Sequence, residues 1–442
     1  LNKILYLSNG ETYRIKENPQ GIEVEQRKLK TFKIERTNEN YIITYKSGVV
    51  EILEGTNSGR EIKNVISIHS PLGHQVNFNW IFKGINRLSS IEDQNGELIN
   101  INYDDLNIPA LTLFSETSEE RLLHCQLFNG FLKKIVYINN DYKWDISYNI
   151  NGFVESIIYP SGLTETITYQ NNIMRFPEDA IPALPAVIKY ILDPGNEQKA
   201  QVTTYEYTST NYLGFASGVN FSPNRDNAYA ILTDYQYGST ETQIGESENI
   251  TITRHYNNFH LITEEKIQRG TCIHSVKTEY YAMIGMPFDQ QPEQFQLPKQ
   301  TTTQYTDLSK PAEEQSREEI TKTEFDIWGN PIKEQYPDGS EIQTLWYAAE
   351  GEENCPPTPN GFVKYIKQQT LIPPKTPYLT PIRVIQFSYQ KLGNTEYIVQ
   401  EKKCFYSDNK LLSRQFYTLN STLDDISFGR VTIIKEEVYD LE

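Results

Sequence analysis

The chain has 442 residues, of which 38% are hydrophobic, enough to bury a sizeable core, and length alone would suggest about three domains. Its 58 acidic against 41 basic side chains leave a formal charge of −17, which repels phosphate backbones and, with no basic stripe, argues against nucleic-acid binding. No apolar run reaches the 18 residues of a membrane-spanning helix, and the short apolar start Leu1 to Leu7 does not resemble a signal peptide.

Residues 1–83 read as an amino-terminal lead-in of β-hairpins. Ile4 to Ile15 turns at Asn9-Gly10, Tyr41 to Leu53 at Ser47-Gly48, and Ile62 to Trp80 around Pro71 to Gly73. An Asn-Gly pair between apolar runs is a strong short-range hairpin signal. From Gly84 the hairpins recur in one frame. Gly84 to Ile91 turns at Asp93-Gln94-Asn95-Gly96 and returns to Tyr103; Gly130 to Tyr137 turns at Asn139 to Asp141 and returns to Tyr148. Gly152 to Tyr159 then turns at Tyr159-Pro160-Ser161-Gly162 and returns to Tyr169.

Residues 171–230 interrupt the run. Five prolines there (Pro177, Pro182, Pro185, Pro194, Pro223) mark irregular excursions around strands Ala186 to Leu192 and Val202 to Thr208. Strands resume to Tyr281, including a divergent copy from Phe259 to Ile267 that turns at Arg269-Gly270. A second excursion covers residues 285–320, with Pro287 to Pro298 as a surface crossing. The acidic stretch Asp307 to Ile320 reads as a solvated loop leading into a strand from Thr321 to Asp326, with a short helix after Ser309 as the alternative. A second full copy of the frame follows: Gly329 to Tyr336, the turn Tyr336-Pro337-Asp338-Gly339, and a return to Tyr347. Phe362 to Thr370 and four further segments between Ile382 and Val438 are again strand-like, so helix content should be low.

The Tyr-Pro-x-Gly turns explain why the frame repeats. Proline fixes φ near the value needed at the second turn position, and glycine supplies the positive φ that lets the chain re-enter a ladder. Both flanks are rich in β-branched and aromatic residues. A hairpin alone is marginal in water, so repeated hairpins must join edge to edge. Tyr159, Pro160, Gly162, Tyr336, Pro337, Gly339, Gly96, Gly130 and Gly152 are therefore expected to be structural turn residues. The 30 tyrosines suit such a sheet, packing a ring while leaving a hydroxyl to find a partner.

The sequence offers no reactive constellation. Gly214-Phe-Ala-Ser217-Gly218 has its serine one place late for a nucleophile elbow. His69 and His74 lack the glutamate and helix of a zinc-protease motif. Asp93 to Gly96 lacks the later acidic ligands of a calcium loop. Cys125, Cys272, Cys355 and Cys404 have no zinc-type spacing and read as free thiols. No catalytic, metal or cofactor residue is assigned, and no ligand-binding residue can be named.

The frame Gly-x-apolar, Tyr-Pro-x-Gly, Tyr resembles the tyrosine-aspartate (YD) repeat of RHS proteins. Longer blocks are similar to RHS-type components of bacterial insecticidal toxin complexes and polymorphic toxins: Asn211 to Gly218, His255 to Ile262, Pro287 to Pro298, Trp346 with Cys355-Pro356, and Gly361 to Ile366. The resemblance covers most of residues 84–370. It implies an all-β fold in which tandem YD-repeat hairpins form a continuous, strongly curved antiparallel sheet, part of a hollow shell, with 371–442 as further strands of that sheet. It implies a noncatalytic role, enclosing a carboxyl-terminal toxin for delivery to a competing or host cell. Partners would be that toxin, other shell segments or a delivery apparatus. The chain would be made in the bacterial cytoplasm and exported by a dedicated system. No self-cleaving closing segment of the family is found here, so no catalytic aspartate is carried over. The alternative reading is an extracellular module whose tyrosine-lined sheet binds glycans or a receptor.

Overall fold

The computed structural model describes residues 3–19, 21–37, 40–55, 63–115, 117–138, 142–378, 380–391, 397–406, 410–420 and 430–439. Among these, 31 strands are joined by antiparallel ladders, and the helical content is four three-residue 3₁₀ turns, the first at Pro177–Asp179. The chain is thus all-β, built from hairpins in sequence order. It divides into two compact units, Leu1–Gly96 with Pro292–Lys299 and Thr321–Glu442, and Glu97–Gln291 with Gln300–Ile320.

The first unit begins with a three-stranded sheet, Lys3–Tyr6, Thr12–Asn18 and Gly21–Val24. Hairpins follow from Phe32–Thr37 to Ile85–Asp93, each strand antiparallel to the one before. The alternation Phe32, Ile34 and Tyr41, Ile43 places these side chains on one face, where they meet Leu5, Leu7 and Ile15 in a dry core. Burying such side chains contributes roughly 1.5–3 kcal/mol each. Lys46 reaches into the Asp326 to Asn330 turn and donates to the Trp328 carbonyl oxygen at 2.8 Å and to Asn330 Oδ1. Burial lowers its ammonium pKa, and Asp326 opposes that shift. The later strands, Pro331–Gln335 to Val431–Val438, continue as an antiparallel meander.

In the second unit, strands from Gly96–Asn102 to Cys272–Tyr280 form a longer meander. Directly opposed residues share a face. Lys189, Thr204, Thr242, Thr251 and Gln268 line up across five strands. The other face carries Tyr205, Glu241, Ile252, Ile267 and His274 in a parallel row. Most of these side chains are half-buried, so neither face of this sheet is sealed.

Three segment assignments change. The strand expected from Phe362 to Thr370 is Ile366–Ile372, because Phe362 leaves the sheet plane and is buried at 1% exposure, edge-on to Trp328. The strand expected from Thr321 begins earlier, as Ser316–Phe325, and takes in Glu318 and Glu319; what remains of the acidic loop holds a single 3₁₀ turn, Ala312–Glu314. The copy expected to start at Phe259 has its strand at Ile262–Arg269, because Phe259 and His260 belong to the preceding turn. The turn read at Asn139 to Asp141 lies outside the described residues.

Candidate functional site

Two kinds of turn alternate along the repeat. In the first, the Gly162 N–H donates to the Tyr159 carbonyl oxygen and the Tyr159 N–H to that of Leu163, both at 2.9 Å, which makes Pro160 the second residue of the turn. Gly162 stands at φ +87°, closing the loop into the next strand. Tyr336 to Gly339 repeats this with the same two distances, Pro337 second and Gly339 at φ +83°.

The second kind lies ten residues upstream of each and is capped by a side chain. Asn149 Oδ1 accepts the Asn151 and Phe153 N–H groups, both at 3.0 Å, while the Gly152 N–H donates to the Asn149 carbonyl oxygen. Asp326 does the same for Trp328 and Asn330 at 2.8 Å. A third copy runs from Asn257 to His260, where Oδ1 accepts from Phe259 and Leu261 and His260 occupies the glycine position at φ +62°. Asn and Asp favour such turns because the side-chain oxygen mimics a backbone carbonyl.

An aromatic donor ties each turn to a strand that comes later. Tyr148 donates its hydroxyl proton to the Leu132 carbonyl, Tyr169 to Val154, Tyr280 to Ile262 and the Trp346 indole N–H to Pro331, all at 2.9 Å. Each acceptor lies two residues beyond the positive-φ position, which is Gly130, Gly152, His260 or Gly329. Rings reinforce the tie: Phe131 packs on Tyr148 at 4.9 Å and Phe153 on Tyr169 at 5.3 Å. Gly130 forms the tip between Phe128 and Phe131, and Gly96 opens its strand at φ +133°. These turn residues sit at turns and strand starts.

One polar cluster has no local signature in the sequence. His260 Nε2 lies 2.8 Å from Asp226 Oδ2, and Nδ1 lies 2.8 Å from the Tyr237 hydroxyl. A neutral imidazole that donates from Nε2 and accepts at Nδ1 satisfies all three groups, so no ring nitrogen is left for a metal or a substrate. Burial, reinforced by Tyr256 and Asp226, holds the Tyr237 phenol far above its ordinary range. Tyr237 stacks on Tyr256 at 5.0 Å, and the Tyr235 hydroxyl lies 2.9 and 2.8 Å from the Asn211 and Phe215 carbonyl oxygens, sharing its proton between them. The cluster stitches the excursion before Gln236 onto the sheet.

Two clefts remain. One, of about 550 Å³, is lined by Ile267, Arg269, Cys272, Tyr305, Lys310 and Arg317, among others. The Tyr305 ring has His274 at 5.0 Å and the Arg317 guanidinium at 5.3 Å. Asp307 at its edge is occupied by Ser309 and Thr271, and the Ser309 hydroxyl and N–H hold its carboxyl below the usual range. The other, of about 360 Å³, lies beside Tyr347, the Glu352–Lys367 ion pair and Glu401. Next to it Cys355 is 1% exposed, and burial, with Glu352, pushes its thiol up to about 11. Among the described residues no three His, Cys, Asp or Glu side chains converge as metal ligands. No helix is long and apolar enough to cross a membrane, which says nothing of crossing by strands.

No protein-family model and no curated protein matches the chain. Among solved structures, it is similar to the crystal structure of TcdB2-TccC3 at 10% identity and TM-score 0.31, covering 95% of this chain and 22% of that one. The Tc holotoxin pore of Photorhabdus luminescens aligns at 9% identity and TM-score 0.36, over 95% of this chain and 23% of that one. A porin-like protein from Bacteroides uniformis aligns at 12% identity and TM-score 0.19, over 61% of this chain and 89% of that one. The chain thus spans under a quarter of the toxin chains, and likenesses this distant decide neither activity nor partner.

Proposed function

We propose that this chain is a noncatalytic section of an RHS-type shell that encloses a toxic polypeptide until delivery to a competing or host cell. The observation that carries the reading is the recurrence of one hairpin device, a capped turn, a short strand, a Tyr-Pro-x-Gly turn and a return strand with an aromatic donor, at Asn149 to Tyr169 and again at Asp326 to Trp346. A device that repeats in this way extends a sheet by nearest-neighbour contacts. The long sequence blocks similar to RHS toxin components supply the toxin context. On this reading residues 1–83 start the wall, 84–370 are its repeats and 371–442 add strands. Tyr159, Pro160, Gly162, Tyr336, Pro337, Gly339, Gly96, Gly130 and Gly152 are its turn residues. Its partners are the enclosed polypeptide, further shell segments or a delivery apparatus, and export relies on a dedicated machine.

The test is protease protection. The chain is co-expressed with the polypeptide encoded downstream of it, and the pair is digested before and after the shell is unfolded in urea. Survival of the polypeptide only within the folded chain supports enclosure; equal digestion in both states overturns it. A glycan-binding module would instead need a platform of free aromatic faces, and the larger cleft offers Tyr305 flanked by His274 and Arg317.

A further inference from the structure

Five Asn-Gly pairs punctuate the chain: Asn9-Gly10, Asn95-Gly96, Asn129-Gly130, Asn151-Gly152 and Asn360-Gly361. In three of them the glycine N–H is committed: Gly10 donates to Leu7 at 3.0 Å, Gly152 to Asn149 at 3.0 Å and Gly361 to Thr358 at 3.3 Å. In a fourth the asparagine is held, since Asn95 donates its N–H to Asp93 Oδ1 at 2.7 Å and its amide to Oδ2 at 3.3 Å.

Asn129-Gly130 carries neither of these restraints. It forms the two-residue tip of the hairpin Arg121–Phe128 and Phe131–Tyr137, with Phe128 directly opposite Phe131. Both tip residues are exposed, at φ +50° and +81°. Among the described residues neither the Gly130 N–H nor the Asn129 carboxamide has a hydrogen bond, and nothing lies within 4 Å of the place a Gly130 Cβ would occupy. The nitrogen and the carbonyl carbon that must meet for ring closure are thus unrestrained by partners.

We propose that Asn129-Gly130 is a self-modification site that converts to aspartate or isoaspartate while the protein remains folded. The Gly130 nitrogen, giving its proton to hydroxide, attacks Asn129 Cγ. A bond forms between that nitrogen and Cγ, the Cγ–Nδ2 bond breaks, and Nδ2 takes a proton from water and leaves as ammonia. Water then adds to one carbonyl of the cyclic imide and opens it, giving aspartate or, with one more methylene in the main chain, isoaspartate. No oxidation state changes. The product adds a carboxylate two residues before Phe131, whose ring lies 3.2 Å from the Cβ position of Gly152 and packs on Tyr148.

The test incubates the full folded chain in mildly alkaline buffer and follows all five sites by peptide mass mapping with isoaspartate methyltransferase labelling. Each hydrogen bond that must break first slows closure by about fivefold, so Asn129 is expected to convert at least about fivefold faster than Asn9, Asn151 and Asn360. In urea the five rates should converge. Asn129→Gln should abolish conversion at that site, and Asn151→Gln should leave it unchanged. An Asn129 that is not the fastest of the five in the folded chain, or that leads by the same margin in urea, overturns the proposal.

Discussion

The Tyr169 hydroxyl donates to the Val154 carbonyl oxygen across 15 residues of sequence, and Tyr148 and Trp346 make the same bond to Leu132 and Pro331. The bond satisfies a carbonyl just beyond the turn, where the ladder shifts register between Ser147 and Tyr148. Tyr169→Phe and Tyr148→Phe keep the rings and lose the donor. Each should cost about 1 kcal/mol, the net worth of one hydrogen bond, read as a lower urea midpoint. Amide exchange at Phe153 should rise in Tyr169→Phe. Unchanged midpoints in both variants would show that water replaces the phenol at no cost.

Glycine replacements separate backbone strain from crowding. Gly162 has nothing within 4 Å of its Cβ position, so Gly162→Ala meets only the positive φ, a cost of about 1 kcal/mol. Gly152 has the same φ class but would press a Cβ on the Phe131 ring at 3.2 Å. Gly152→Ala should therefore cost more, by on the order of 1 kcal/mol of overpacking. Equal losses in urea unfolding would mean that the Phe131 ring simply turns aside.

Much of the repeat could be read from the sequence, because Pro160 and Pro337 fix one dihedral and the following glycines fix another, and both are local facts. The Asn257 to His260 turn escaped because histidine, a residue without glycine's freedom, holds the left-handed position, supported by the Asn257 side chain. The Asp226, Tyr237 and His260 cluster escaped for a different reason: its members are up to 34 residues apart, and only the fold brings them within 2.8 Å. Phe362 looked like a strand start because it is aromatic and flanked by valine, but its ring is taken by Trp328.

That cluster makes its own prediction. His260→Gly keeps the positive φ but removes both hydrogen bonds, leaving Asp226 and a half-buried phenol without their partner. Tyr237→Phe removes one of them. Tyr237→Phe should cost about 1 kcal/mol and His260→Gly more, with faster amide exchange at Ala228 and Tyr229, whose N–H groups Asp226 also caps. If exchange in that segment stays at the wild-type rate in both variants, the cluster does not hold the excursion in place.

The four thiols should separate by reactivity and by pH. Cys272 is exposed, Cys125 and Cys404 are half-buried, and Cys355 is buried with its thiol pushed from 9.0 up to about 11. A disulfide reagent should therefore modify Cys272 first and Cys355 last in the folded chain, since the thiolate is the nucleophile. The same shift couples to stability. A thiol whose folded pKa is raised stays neutral while the unfolded chain ionises, so its contribution is complete below pH 9.0 and is lost as pH rises toward 11. Two pKa units correspond to on the order of 2–3 kcal/mol across that window. Tyr347, lifted to about 12 by burial and by nearby Cys355, adds a loss of the same sign above pH 10. Cys355→Ala should be less stable at neutral pH, because it leaves a cavity, yet show a shallower fall between pH 9 and 11. A fall as steep as that of the wild type would place the titrating group elsewhere.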